Sequence, residues 1–372
     1  AHPTGLEGPH MLTRLVLLLG MLCCASAGAV SPGPVAPALR PSEGQYSAKS
    51  GSLPSVGNAE TPKDALRLRG GAEPTQLEAK IELTCENLLG EAPMWHDGEQ
   101  RLYWLDINGK KLWSYAPSVG EMRSWDLPEV AGSFALREGG GFLMGFVSGL
   151  SWYDPETGKV DKVCDYEEGL NTRPNDGKCD RQGNFVIGSY NNNHRQDKQN
   201  IAGLWRLSAS DLSLTEIMDY RFRCSNTIAF DGEGSKMYFC DTPTKEIYRF
   251  DYAPDKPLSG KTLFAQMSEE DAGGPDGATV DSEGGLWVAQ AGNWKVVRYR
   301  ASDGAVDYEI KLPLNNPTSV SIGGKDMDTL FITTARHRLS DEERKEQPGA
   351  GQLWSLKLPK GIKGLPEPRL KA

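Results

Sequence analysis

A six-bladed β-propeller, an all-β ring closed by pairing of an N-terminal strand with the last blade, is the fold this sequence predicts. Three observations predict it. Short runs of alternating apolar and polar residues, bounded by Gly, Pro, Asn and Asp, fill the chain from residue 77 onward. Six segments repeat one plan: an alternating strand, a polar hairpin, and a second strand ending near an aromatic residue and a turn. Aligning the six puts Tyr103, Leu143, Val186, Tyr238, Trp287 and Phe331 at equivalent places, at intervals of 40, 43, 52, 49 and 44 residues. A period of that length with several strands per unit is the signature of propeller blades.

The repeats differ in clarity. RLYWLDINGKKLWSYAP, GFLMGFVSGLSWYDPETG, SKMYFCDTPTKEIYRFDYAP and GGLWVAQAGNWKVVRYRASDG show the plan plainly. GNFVIGSY is parted from GLWRLSA by a polar insertion over residues 190–202, and DTLFITTAR is parted from QLWSLKLP by HRLSDEERKEQPGA. The first insertion reads as a surface loop or as a flap over the central channel; DEERKEQ in the second is the only helical-looking run. LEAKIELT, residues 77–84, lies outside the six units and is expected to close the ring against the last blade.

Ahead of the propeller the texture changes. Residues before Met11 read as upstream sequence. Arg14, the apolar run LVLLLGMLCC and the small residues Ala25-Ser26-Ala27 or Ala27-Gly28-Ala29 have the order of a signal peptide, giving a first segment of residues 1–30. The apolar run is shorter than the roughly 20 residues that a membrane span needs, so no stable membrane insertion is expected after cleavage. Residues 31–76 are rich in Pro, Ser, Ala and Gly and read as a linker or second targeting segment, and residues 77–372 as the propeller. The leader predicts entry into the secretory pathway, with secretion or, for a bipartite leader, a plastid or other organelle as destination. LRLRGG, at residues 66–71, reads as a chance match to the end of ubiquitin.

Composition narrows the ligand. With 41 Lys and Arg against 50 Asp and Glu the formal net charge is −9, and no basic stripe is evident, which argues against a nucleic-acid partner. Seven cysteines without a CxxC pair, two of them in the leader, predict mostly buried free thiols, with one bridge still open. Five scattered histidines form no HxH or HExxH zinc motif. Trp95, Trp104, Trp113, Trp205, Trp287 and Trp354 read as blade packing rather than sugar platforms.

Loops at one end of a propeller converge on its channel, so polar residues far apart in sequence can meet there. Four loops stand out: Gly90 to Trp95, Asn171 to Gly177, Cys224 to Thr227, and Gly274 to Gly277. The last looks like a tight Gly-Pro-Asp-Gly turn with one projecting carboxylate. Glu91, Asn226 and Asp276 offer two carboxylates and an amide carbonyl, a hard-oxygen set suited to Ca²⁺, Mg²⁺ or Mn²⁺. The Asn171 to Gly177 loop packs Arg173, Asn175 and Asp176 together.

GEAPMW, RPNDGKCD, SNTIAF, YFCDTPTKEIYRFDY, GGPDGATVD, LWVAQ and NNPTSVSIGGKDMDTLFIT together resemble the senescence marker protein, regucalcin and gluconolactonase family over roughly residues 80–360. The bacterial sugar lactonases look nearer than the animal regucalcins. The resemblance implies one divalent cation (Ca²⁺, Zn²⁺, Mg²⁺ or Mn²⁺) on Glu91, Asn226 and Asp276, and substrate contacts from Arg173 and Asn175. A further substrate-contacting glutamate of the regucalcins falls by counting on Asn193, so the family's sugar preference does not carry over. The implied activity is hydrolysis of a sugar lactone, with Asp276 as candidate general base as well as ligand. A non-enzymatic calcium-binding propeller, or an organophosphate or aryl esterase using the same metal, are the rival readings.

Overall fold

The strand period seen in the sequence becomes six twisted sheets in the computed structural model, which describes residues 73–372. Each blade is an antiparallel meander running outward from an inner strand. The inner strands are Gly90–His96, Ala131–Leu136, Thr172–Cys179, Ser225–Phe230, Gly274–Val280 and Pro317–Gly323. The residues aligned from the repeat all fall on the second strand of their blades, for example Tyr103 on Arg101–Asp106 and Trp287 on Leu286–Ala291. The repeat is therefore in phase with the blades, one strand out from the channel.

Ring closure follows the expectation. The strand Lys80–Leu83 pairs antiparallel with Leu353–Lys357 and becomes the outer strand of the sixth blade. Its Glu82 accepts hydrogen bonds from Ser355 of that blade (2.8 Å) and from Tyr115 of the first (3.1 Å), so one carboxylate ties the seam. A second short strand, Thr75–Leu77, lies parallel to Val306–Lys311 at the outer edge of the fifth blade, beginning just before the expected domain edge. The signal-peptide and linker expectations lie outside the described residues, apart from the last four residues of the linker segment.

The alternation on each strand sends neighbouring side chains to opposite faces of the blade. Leu102 and Trp104 thus enter the seam with the sixth blade, beside Trp95 and Phe331, while Tyr103 and Leu105 enter the seam with the second, beside Phe134 and Phe142. Six apolar clusters result, one per seam. Near the axis the inner strands approach so closely that side chains are excluded. A Cβ on Gly277 would lie 2.0 Å from Ser319 Oγ of the next blade, and one on Gly132 1.9 Å from the Pro174 carbonyl oxygen.

Two expectations are corrected. Gly274 to Gly277 is not a turn but the start of the inner strand Gly274–Val280, and Glu91, Arg173, Asn175 and Asn226 likewise sit within inner strands. An inner strand faces the channel with one unpaired edge, where Pro costs no ladder hydrogen bond; Pro93, Pro174, Pro275 and Pro317 all use this position. Nor is DEERKEQ the only helix: a capped helix Asp341–Glu346 is there, and His194–Asp197 in the other insertion forms a single turn. All five cysteines among the described residues are free.

Candidate active site

The start of each inner strand pairs with the end of the second strand of its blade, as in Gly90↔Asp106, Thr172↔Asn191, Ser225↔Asp241, Gly274↔Ala291 and Pro317↔Thr334. All these ends therefore open onto one face of the ring, together with the two insertions, which leave from the second strands of blades three and six. A cavity of about 610 Å³ occupies that face. Glu91, Arg173, Asn175, Asn226 and Asp276 line it, so the structure brings together five of the six expected site residues. The sixth, Asn193, is exposed at the N-terminal cap of the His194–Asp197 turn and does not line the cavity. Its neighbours His194, Arg195 and Lys198 do, because a one-residue count cannot follow the direction in which an inserted turn departs from its strand.

A register shift interrupts all six inner strands near their start, and four of these carry the site: between Glu91 and Met94, Pro174 and Gly177, Asn226 and Ala229, and Pro275 and Ala278. Such bulges turn a side chain away from the alternation of the strand, here into the channel. Ala92 (φ 49°) and Thr227 (φ 59°), each directly after an expected ligand, hold left-handed backbone conformations that cost a non-glycine residue on the order of 1–3 kcal/mol. Thr227 offsets part of this by donating its hydroxyl to the Asp276 carbonyl oxygen at 2.8 Å.

Hydrogen bonds link blades three, four and five at this depth. Asn175 Nδ2 donates to the Ser225 carbonyl (2.8 Å) and to Asn226 Oδ1 (3.1 Å), while Asn226 Nδ2 donates to Thr242 Oγ1 (2.8 Å), which donates to the Pro275 carbonyl (2.9 Å). Both amide hydrogens of Asn175 are thereby committed to holding neighbours. Asp176 accepts from the Ile228 N–H at 2.8 Å and so fastens the third blade to the fourth.

Arg173 makes no ion pair among the described residues. Its Nη1 donates to the Pro174 carbonyl (2.9 Å) and Asn175 Oδ1 (2.7 Å), and its guanidinium carbon lies 4.3 Å from the centre of the Tyr190 ring. Tyr190, which is directly opposite Arg173 in the strand register, is braced in turn by His194 at 4.7 Å. Tyr190 was missed in the sequence; its register opposite Arg173 is the signal that would have found it. No tryptophan among the described residues lines the cavity.

The floor is rich in negative charge. Burial, then the nearby Asp176, pushes the Glu91 carboxyl up to about 8. Burial followed by repulsion from Glu91 and Asp176 raises Asp276 well above the ordinary carboxylate range, and burial raises Asp176 to about 6. Three carboxyl groups thus stand near one guanidinium, Arg173, whose own charged form burial disfavours. Among the described residues no group of three or more His, Cys, Asp and Glu stands ready for a metal ion. The expected donor set is of another kind, two carboxylates and an amide carbonyl, and clustered carboxyls whose ionisation is disfavoured are the electrostatic condition that a divalent cation relieves.

The family described as SMP-30/Gluconolactonase/LRE-like region matches residues 89–336. The chain is 35% identical to L-arabinolactonase of Azospirillum brasilense, covering 74% of this chain and 91% of that protein. It is 33% identical to 6-deoxy-6-sulfogluconolactonase of Pseudomonas putida, covering 76% and 94% respectively. Among solved structures, regucalcin of Agrobacterium tumefaciens, described as a calcium-binding protein, superimposes with a TM-score of 0.74 over 80% of this chain and 99% of that one; at 23% identity the likeness speaks to the fold alone. With its matched region running through all six blades, the chain belongs to the SMP-30/gluconolactonase/LRE-like family.

Proposed function

We propose that this protein is a lactonase that opens a sugar lactone to its aldonic acid, using one divalent cation held by Glu91, Asn226 and Asp276. The observation that carries the reading is the convergence of these three residues and Arg173 on one cavity floor. The similarity to enzymes named as lactonases supports the choice of reaction. When bound, such a cation supplies Lewis acidity, polarising an ester carbonyl and favouring ionisation of water.

The chain's own residues supply position and proton transfer. Arg173, held flat by Tyr190 and by its bonds to Pro174 and Asn175, keeps its remaining N–H groups for ring hydroxyls of the sugar. Asn175 is a positioning residue, since its donors fix Asn226 and the Ser225 backbone. We assign to an Asp276 carboxylate oxygen the removal of a proton from the attacking water. Water oxygen adds to the lactone carbonyl carbon, the ring C–O bond breaks, and the ring oxygen leaves as a hydroxyl carrying that proton.

A panel of aldonolactones incubated with cation-loaded protein tests the reading by acid release. Turnover of at least one five- or six-membered sugar lactone well above the spontaneous rate is expected; a panel hydrolysed no faster than in buffer would contradict it.

A further inference from the structure

The cavity floor is acidic, but its rim is not. Two insertions leave blades three and six, which stand opposite each other in a six-membered ring, and both line the cavity. The first contributes Arg195 and Lys198 and the second His337 and Arg338, while Arg223 stands just before the inner strand of the fourth blade. Arg195 and Arg338 lie near enough to act electrostatically on both His194 and His337, so charges from opposite blades face the same cavity.

These cations are largely uncompensated. Among the described residues no carboxylate stands within salt-bridge distance of Arg195, Lys198 or Arg338, whereas Arg223 reaches Asp241 at 3.8 Å. Glu343 is the one acidic residue among those lining the rim, and its carboxylate is engaged at 2.8 Å by the Ser340 N–H in the capping box of its helix. In a chain of net charge −9, three unpaired cations from two insertions at one cavity are a local reversal of sign. Clefts walled by one sign of charge focus the field and concentrate ligands of the other sign, and guanidinium groups suit oxyanions by geometry.

We propose that this rim selects lactones that carry a permanent anion, a phosphate, sulfonate or carboxylate, on the end of the sugar away from the reacting carbonyl. The proposal rests on the lactonase reading for its reaction, and the rim alone for its selectivity. A cavity of about 610 Å³ has room for a monosaccharide and such a substituent together. The carbonyl would lie at the acidic floor with Glu91 and Asp276, and the anion between Arg195, Lys198 and Arg338, so that the cavity reads both ends of one substrate.

The test compares a neutral aldonolactone with its 6-phosphate, its 6-sulfonate and the corresponding uronic lactone, using the full chain and the variant Arg195→Ser, Lys198→Asn, Arg338→Asn. Asn is chosen at 198 and 338 because both positions have positive φ (55° and 72°), which Asn tolerates. The wild type is expected to favour at least one charged lactone over the neutral one by about tenfold or more in kcat/KM, and the variant to lose that preference mainly through KM. Calorimetry with a hexitol 6-phosphate and the plain hexitol reads the same preference without turnover, so it decides the proposal even where no lactone is hydrolysed. Equal binding of the two hexitols, or a preference that survives in the variant, would overturn it. Inorganic phosphate binding as tightly as the hexitol phosphate would also overturn it, since the rim would then hold an anion without reading a sugar.

Discussion

Replacing Asp276 by Asn is expected to lower lactone turnover by about 10³-fold or more while leaving the propeller folded. The side chain lines the cavity floor beside Glu91, and the substitution keeps its shape while removing a charge and a proton acceptor. The sign of the stability effect follows from the surroundings of the carboxyl. In the absence of a cation, burial and the neighbouring carboxyls disfavour an ionised Asp276, so neutralising it cannot weaken the metal-free fold by that route. The metal-free variant should therefore melt no lower than the metal-free wild type, and added cation should raise its melting temperature less. A variant that kept its rate, or lost it only by unfolding, would contradict the role assigned to Asp276.

Replacing Asp281 by Ala is expected to have the largest effect on stability, a loss of about 3–5 kcal/mol in urea unfolding. Asp281 follows the inner strand that begins at the site, but at the opposite face of the ring. Its carboxylate accepts from Arg298 Nε at 2.6 Å and Nη2 at 3.2 Å, from Trp287 Nε1 at 2.8 Å and from the Gly285 N–H at 2.9 Å. Asp281 and Arg298 are 1% and 4% exposed, so the truncation leaves a buried guanidinium with only Asp307 and Glu283 to answer it. Asp281→Asn, which keeps an acceptor, should lose less. Turnover per folded molecule should be unchanged in both, which separates this hub from the chemistry of Asp276. An Ala variant within about 1 kcal/mol of wild type would refute the accounting.

Much of this architecture was legible because propeller blades repeat a physical requirement. Every second strand buries both faces between neighbours, so Leu143, Val186 and Phe331 recur at near-equal spacing, and Lys80–Leu83 stood out as a strand without a blade of its own. The site was legible as a set of residues but not as a local structure. Gly-Pro-Asp-Gly obeys turn statistics, yet here Pro275 serves an unpaired inner edge and Gly277 a contact with Ser319, so tertiary crowding rather than turn chemistry selected them. Asn193 lies outside the cavity lining because it caps the turn that starts the insertion. The cationic rim was hidden for a different reason: Arg195 and Arg338 are far apart in sequence, and only closure of the ring brings the two insertions to the same cavity.

The central claim is that hydrolysis depends on a cation at Glu91, Asn226 and Asp276, and one titration tests it. Protein stripped with EDTA and dialysed is assayed on a lactone it hydrolyses, while Ca²⁺, Mg²⁺, Mn²⁺ or Zn²⁺ is added back. The account predicts loss of activity on stripping and recovery that saturates at one cation per chain, to differing degrees for the four metals. Full activity in the stripped protein, with no response to any of the four, would contradict it.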